Sequence, residues 1–139
     1  MRAAALRRLD SLIRGPVRQR KPRRHPEQEI QRAVFEHLDV RGMPNLFAFH
    51  PANGGYRSPV EAAILTSLGV RPGISDVIII YGGKVWALEL KARGGRFSRE
   101  QLNCREHLLR AGATVGEAYI LDEALAWLEA QGLVRGHIQ

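Results

Sequence analysis

Three residues in this sequence have types and spacing suited to chemistry: Asp76 and, after twelve intervening residues, Glu89 and Lys91 of Glu89-Leu90-Lys91. Between them, Gly82-Gly83 separates two apolar runs, residues 76–81 and 84–91, a strong signal for a two-residue β-hairpin. With those glycines as the loop, the register sets Asp76 directly across from Glu89. Strand alternation then puts Lys91 on the same face. Two carboxylates opposed at about 5 Å between Cβ atoms repel one another. Either one takes up a proton, or a cation sits between them. Lys91 offsets one charge. A hard divalent ion held by carboxylate oxygens would offset the other, with the Leu90 backbone carbonyl as a natural further ligand. The competing reading is a structural acid–lysine pair at a strand end.

These groups must be held by the elements around them. Ile78, Ile80, Val85 and Ala87 share the face of the two acids, and Val77, Ile79, Trp86, Leu88 and Leu90 form the other. A hairpin apolar on both faces is expected to be central and buried. Upstream, Pro26 opens a helix with Ile30, Val34 and Leu38 as its stripe and Gly42 beyond its end. Residues 46–49 read as a short strand, followed by the turn-rich Pro51-Ala52-Asn53-Gly54-Gly55. Ser58, Pro59 and Glu61 mark the start of an inserted helix that Gly69 closes. Downstream, Ser98 and Gln101 form a capping box for a helix running to about Arg110. Residues 114–121 then read as a strand, and Asp122 as the cap of a last helix. The predicted order is helix, strand, extra helix, hairpin, helix, strand, helix.

The chain has 139 residues, 45% hydrophobic and 25% charged, which suits one domain able to bury its own core. The longest uninterrupted aliphatic-aromatic run, residues 77–81, is far below the roughly 20 residues of a membrane span. The lone Cys104 excludes an internal disulfide framework and fits a reducing compartment. No signal-peptide core follows the basic start, so a cytoplasmic setting is expected, nucleoid-associated or phage-encoded. The formal charge is +7, and it is unevenly placed. Residues 1–26 carry nine basic side chains and one acid, whereas residues 27–139 carry twelve basic and thirteen acidic ones. The chain therefore reads as a cationic arm, 1–26, and a nearly neutral domain, 27–139. Arg18, Arg20, Lys21, Arg23 and Arg24 of the arm suit contact with nucleic-acid phosphates. A disordered solubilising tail is the plainer alternative, and an organelle transit peptide fits less well.

Asp76…Glu89-x-Lys91 resembles the PD-(D/E)XK nuclease superfamily, with Ser75 where that pattern usually has proline. More of the chain is similar to one branch, the VRR-NUC domain. The likeness runs through Glu27…Gln31, Asn53-Gly54-Gly55-x-Arg57, Gly69-x-x-x-Gly73-x-x-Asp76, Glu89-x-Lys91 and Gln101, in order and at matching spacing. Ser75 is a departure that leaves metal chemistry intact, because proline ligates nothing.

The resemblance implies an α/β fold: a restriction-endonuclease-like mixed β-sheet flanked by helices, with core order α-β-β-β-α-β and an inserted helix. It implies a metal-dependent DNA nuclease using Mg²⁺ or Mn²⁺. Asp76, Glu89 and a first-helix glutamate would be metal ligands, with Lys91 orienting water or stabilising the phosphorane oxyanion. Of Glu27 and Glu29, Glu27 is preferred because it shares a face with Ile30, Gln31 and Val34. Gln101 either acts beside Lys91 or simply completes its capping box. Asn53 and Arg57, before a helix N-terminus, and Arg93, Arg96 and Arg99, after Lys91, are expected to contact phosphates. Turn chemistry for Asn53 and a solvated Arg57 explain those two equally well. His50 is secondary, and Cys104 with His107 supplies too few ligands for zinc. Stand-alone domains of this kind are expected to be homodimers acting on branched DNA such as four-way junctions. The alternatives are a non-catalytic nucleic-acid-binding module and a structural subunit of a replication, repair or phage complex. Val60, Ile64 and Leu68 of the inserted helix would either form the dimer contact or pack on the domain's own sheet.

Overall fold

The computed structural model describes residues 25–52 and 57–136. The arm cations at 18, 20, 21, 23 and 24, and Asn53, lie outside these residues. Helix α1 spans Pro26–Arg41 with proline in its first turn and Val34 and Leu38 buried one turn apart. Strand β1 is Phe47–Phe49 and helix α2 is Pro59–Ser67, where Ser58 Oγ accepts the Glu61 amide at 3.2 Å. Strands β2 (Val77–Tyr81) and β3 (Lys84–Leu90) form the hairpin. Gly82 and Gly83 both have positive φ, 56° and 74°, as a tight primed turn demands. Helix α3 (Arg99–Arg110) starts at the Ser98–Gln101 capping box, and strand β4 is Thr114–Ala118. Helix α4 spans Leu121–Ala130 and begins earlier than expected, with Ile120 rather than Asp122 at its N-cap. Glu123, in its first turn, reaches back instead, its carboxylate accepting the Tyr119 amide at 2.9 Å.

The sheet order is β1-β2-β3-β4. β1–β2 and β2–β3 are antiparallel and β3–β4 is parallel, so α3 is the crossover that a parallel pair requires. The hairpin register runs from Tyr81↔Lys84 to Val77↔Leu88. One step further along that ladder stand Asp76 and Glu89, as the two-residue loop requires.

One face of the sheet carries the core. Val77, Ile79, Trp86, Leu88 and Leu90 pack with Val34 and Leu38 of α1 and with Ala124, Leu125 and Leu128 of α4. Each fully buried valine, leucine or isoleucine among them contributes about 1.5–3 kcal/mol. Trp127 lies against Gly116, where an added Cβ would fall 2.4 Å from the indole, so β4 needs glycine there. The other face is covered by α3 on the β4 side. Ala87 is buried beneath it, but Ile80 is 42% exposed and Phe47 62%. The expectation of a hairpin buried on both faces is thus corrected at Ile80. The physical reason is that α3, joining β3 to β4, packs on β4 and leaves Ile80, at the hairpin end of β2, uncovered.

The apolar stripe of α2 does not pack on the sheet either. Val60, Ile64 and Leu68 are 69%, 54% and 76% exposed. Among the described residues, no helix is long and apolar enough to cross a membrane.

Candidate active site

Asp76 stands immediately before β2, and its Oδ2 accepts the Leu90 amide at 2.8 Å. That bond extends the hairpin ladder by a side chain and fixes the carboxylate over the end of β3. Leu90 therefore meets Asp76 through its N–H, while its side chain is buried on the opposite face.

Glu89, the one buried acid among the described residues, is 6% exposed. Its Oε1 accepts the Gln101 side-chain amide at 2.9 Å. Burial, above all, pushes its pKa from 4.5 up to about 8. The neighbouring Asp76 charge and a hydrogen bond between the two carboxyls add to the rise, and Glu27 contributes a little. Lys91 works in the opposite direction. The repulsion anticipated from the register is therefore present. Near neutral pH, and with no cation bound, Glu89 holds a proton.

Glu27 in the first turn of α1 accepts the Ala92 amide at 3.0 Å, which ties α1 to the chain just past Lys91. With Gln31, His50 and Asp76 it lines a cleft of about 530 Å³. Glu29 faces a different depression, beside Ile30, Arg93 and Tyr119. Glu27 is exposed, contrary to the expected core-facing position, because the burial of α1 begins a turn later, at Ile30. Lys91 extends to the Phe97 ring, with Nζ 5.6 Å from the centroid, a cation–π distance.

Gln101 completes its capping box and also touches one of the paired acids. Its Oε1 accepts the Ser98 amide at 2.9 Å, closing the capping box, while its Nε2 donates to Glu89. Arg57 is half-buried just ahead of α2, and Arg93, Arg96 and Arg99 are exposed between Lys91 and the first turn of α3. His50, secondary on sequence grounds, is drawn into the cleft, with Nδ1 2.6 Å from the Asp76 main-chain oxygen. A carbonyl only accepts, so Nδ1 carries a proton in this contact. The available signal was its place at the end of the strand beside Asp76. Cys104 is buried, its thiol pushed up mainly by burial, and His107 Nδ1 accepts from Arg71.

Among the described residues, no three His, Cys, Asp or Glu side chains form a ready-made metal cluster. The donor set nonetheless fits a hard divalent ion. Two facing carboxylates, one kept protonated by burial and by the other's charge, are what such an ion would relieve.

A four-stranded mixed sheet flanked by helices, with paired acids at one strand end, defines an α/β fold of the restriction-endonuclease-like kind. Two solved structures with VRR_NUC descriptions share it. One, a "VRR_NUC domain protein", aligns with TM-score 0.61 at 21% identity, covering 78% of this chain and 88% of that one. The other, "VRR_NUC domain", aligns with TM-score 0.53 at 18% identity, covering 76% and 97%. No family model and no curated protein matches the sequence. The chain has the VRR_NUC fold.

Proposed function

We propose that this protein is a VRR-NUC nuclease, a divalent-metal-dependent enzyme hydrolysing DNA phosphodiester bonds. The observation that carries this reading is the facing Asp76–Glu89 pair, with Glu89 buried and its pKa raised to about 8 beside Lys91 and Gln101. Asp76, Glu89, Glu27 and the Leu90 carbonyl would hold Mg²⁺ or Mn²⁺. The ion would supply a water of lowered pKa and polarise the phosphate. Lys91 orients the attacking water or meets charge developing on the phosphorane. Gln101 fixes one oxygen of Glu89. Arg57, Arg93, Arg96 and Arg99, with Asn53, would contact phosphates. Cleavage of plasmid, duplex, flap and four-way-junction DNA, with and without chelator, tests the reading. DNA binding without metal-dependent cleavage of any substrate would leave a binding or structural module instead.

The arm is the expected source of sequence-independent affinity. Removing residues 1–24 should lower the magnitude of the log–log salt slope on duplex DNA by about 4 to 5 if roughly five arm cations meet phosphates. Titrations at several salt concentrations measure this. An unchanged slope would mark the arm as a linker or partner-docking segment.

We further propose a two-fold dimer that prefers branched DNA, because symmetric resolution of a junction needs two cuts from paired sites. The exposed Val60, Ile64 and Leu68 of α2 supply an apolar contact, and the nearly neutral body offers little charge to keep two copies apart. Light scattering at micromolar concentration should give twice the chain mass, falling to one mass in Ile64→Glu. A monomer that cuts linear duplex as fast as a junction would refute both halves.

A further inference from the structure

The loop that delivers Asp76 and the helix that delivers Gln101 meet at Gly73. Gly73 has φ +78°, and a Cβ built there would lie 2.3 Å from the carbonyl carbon and oxygen of Glu100 and 2.4 Å from the amide nitrogen of Gln101. The obstacle is backbone in the first turn of α3, which cannot rotate away as a side chain would. Bonds on either side of this contact close a ring. From Gly73 the chain runs three residues to Asp76, whose Oδ2 holds the Leu90 amide. Glu89, next in β3, accepts from Gln101 Nε2, and Gln101 Oε1 accepts from Ser98 at the start of α3. The Gln101 amide is therefore held at both ends. If α3 moves, one of its two bonds must break.

We infer that Gly73 is a positioning residue: its missing side chain seats α3 against the Asp76 loop and, through Gln101, holds Glu89 in its cation-binding orientation. The inference rests on the nuclease reading above. Relieving a 2.3 Å approach to the ordinary 3.4 Å contact requires the first turn of α3 to retreat. A retreat of about 1 Å would stretch the 2.9 Å Gln101–Glu89 bond beyond hydrogen-bonding range. Gly69 provides the control. It also has positive φ, +97°, but a Cβ there meets nothing within 4 Å. Gly69→Ala thus carries the backbone strain without the clash.

The test uses the full chain and two readouts independent of cleavage. These are Mn²⁺ affinity by calorimetry and the Gln101 side-chain amide signal in the metal-free protein, identified by its loss in Gln101→Ala. Gly73→Ala and Gln101→Ala should each weaken Mn²⁺ binding by about 10-fold or more, the scale of groups that orient metal ligands. The double variant should be no weaker than either single one, because both changes cut the same link. Gly69→Ala should bind as the wild type does. Wild-type Mn²⁺ affinity in Gly73→Ala, or losses that multiply in the double variant, would overturn the inference. Should Gly73→Ala fail to fold, the wild-type signal decides. The Gln101 amide must be protected from solvent exchange before metal is added, and rapid exchange would overturn the inference. The nuclease reading fails separately, if Asp76→Asn binds Mn²⁺ as tightly as the wild type.

Discussion

Asp76→Asn and Glu89→Gln should each abolish metal-dependent cleavage while leaving the fold intact. Fold retention follows from the bonds each acid makes. An asparagine oxygen can still accept the Leu90 amide, and a glutamine oxygen can still accept from Gln101. What disappears is negative charge, the attraction for a divalent ion. The loss should exceed the roughly 100-fold typical of groups that merely support a metal ligand. Glu29→Gln, on a different depression of the surface, should stay near wild type. Initial rates at saturating Mg²⁺ or Mn²⁺, with chelator blanks, make the comparison. Undiminished cleavage by Glu89→Gln would sink the assignment.

The second large effect concerns pH and metal together. The Glu89 carboxyl titrates near 8 in the fold, against 4.5 ordinarily. Between those values the folded chain binds more protons than the unfolded one, so its stability must fall as pH rises. This contribution is fully present below about 4.5 and is lost as pH climbs through about 8. On the proposed nuclease reading, a divalent ion would replace the proton and reverse the preference for the neutral form. Its affinity should rise with pH up to about 8, by nearly tenfold per unit where one proton is displaced. Denaturant titrations of metal-free protein at pH 5 and pH 8.5 should show the decline in the wild type. In Glu89→Gln, where position 89 has no proton to lose, this component should be absent. Identical pH profiles for the two proteins would show that burial does not hold Glu89 protonated.

The same features show how far sequence alone reaches. The opposition of Asp76 and Glu89 was legible because a two-residue Gly82-Gly83 loop pins the register of everything beyond it. The Ser58 and Ser98 caps were legible for a similar reason, since each links a side chain to an amide three residues away. Such features depend on chain-local geometry, which neighbouring residue types dictate. Asp122 shows the limit even there: the last helix starts two residues earlier, with the Glu123 carboxylate reaching back to the Tyr119 amide.

The remaining properties depended on which elements meet. Helical periodicity put Glu27 and Gln31 on one face but could not show that face overhanging the cleft. Nor could a strand-end histidine reveal its bond to the Asp76 carbonyl, which joins residues 26 positions apart. The exposure of α2 and Ile80 depends on which faces the other elements cover, and no local pattern contains that. Gln101 is the sharpest case. Its sequence neighbourhood explains the cap completely, while its second bond exists only because the Gly73 backbone lets the helix come close enough to reach Glu89. Short-range hydrogen bonding and register were written in the chain; burial, and with it the charge state of Glu89, was decided by packing, because desolvation depends on every element that closes over a group.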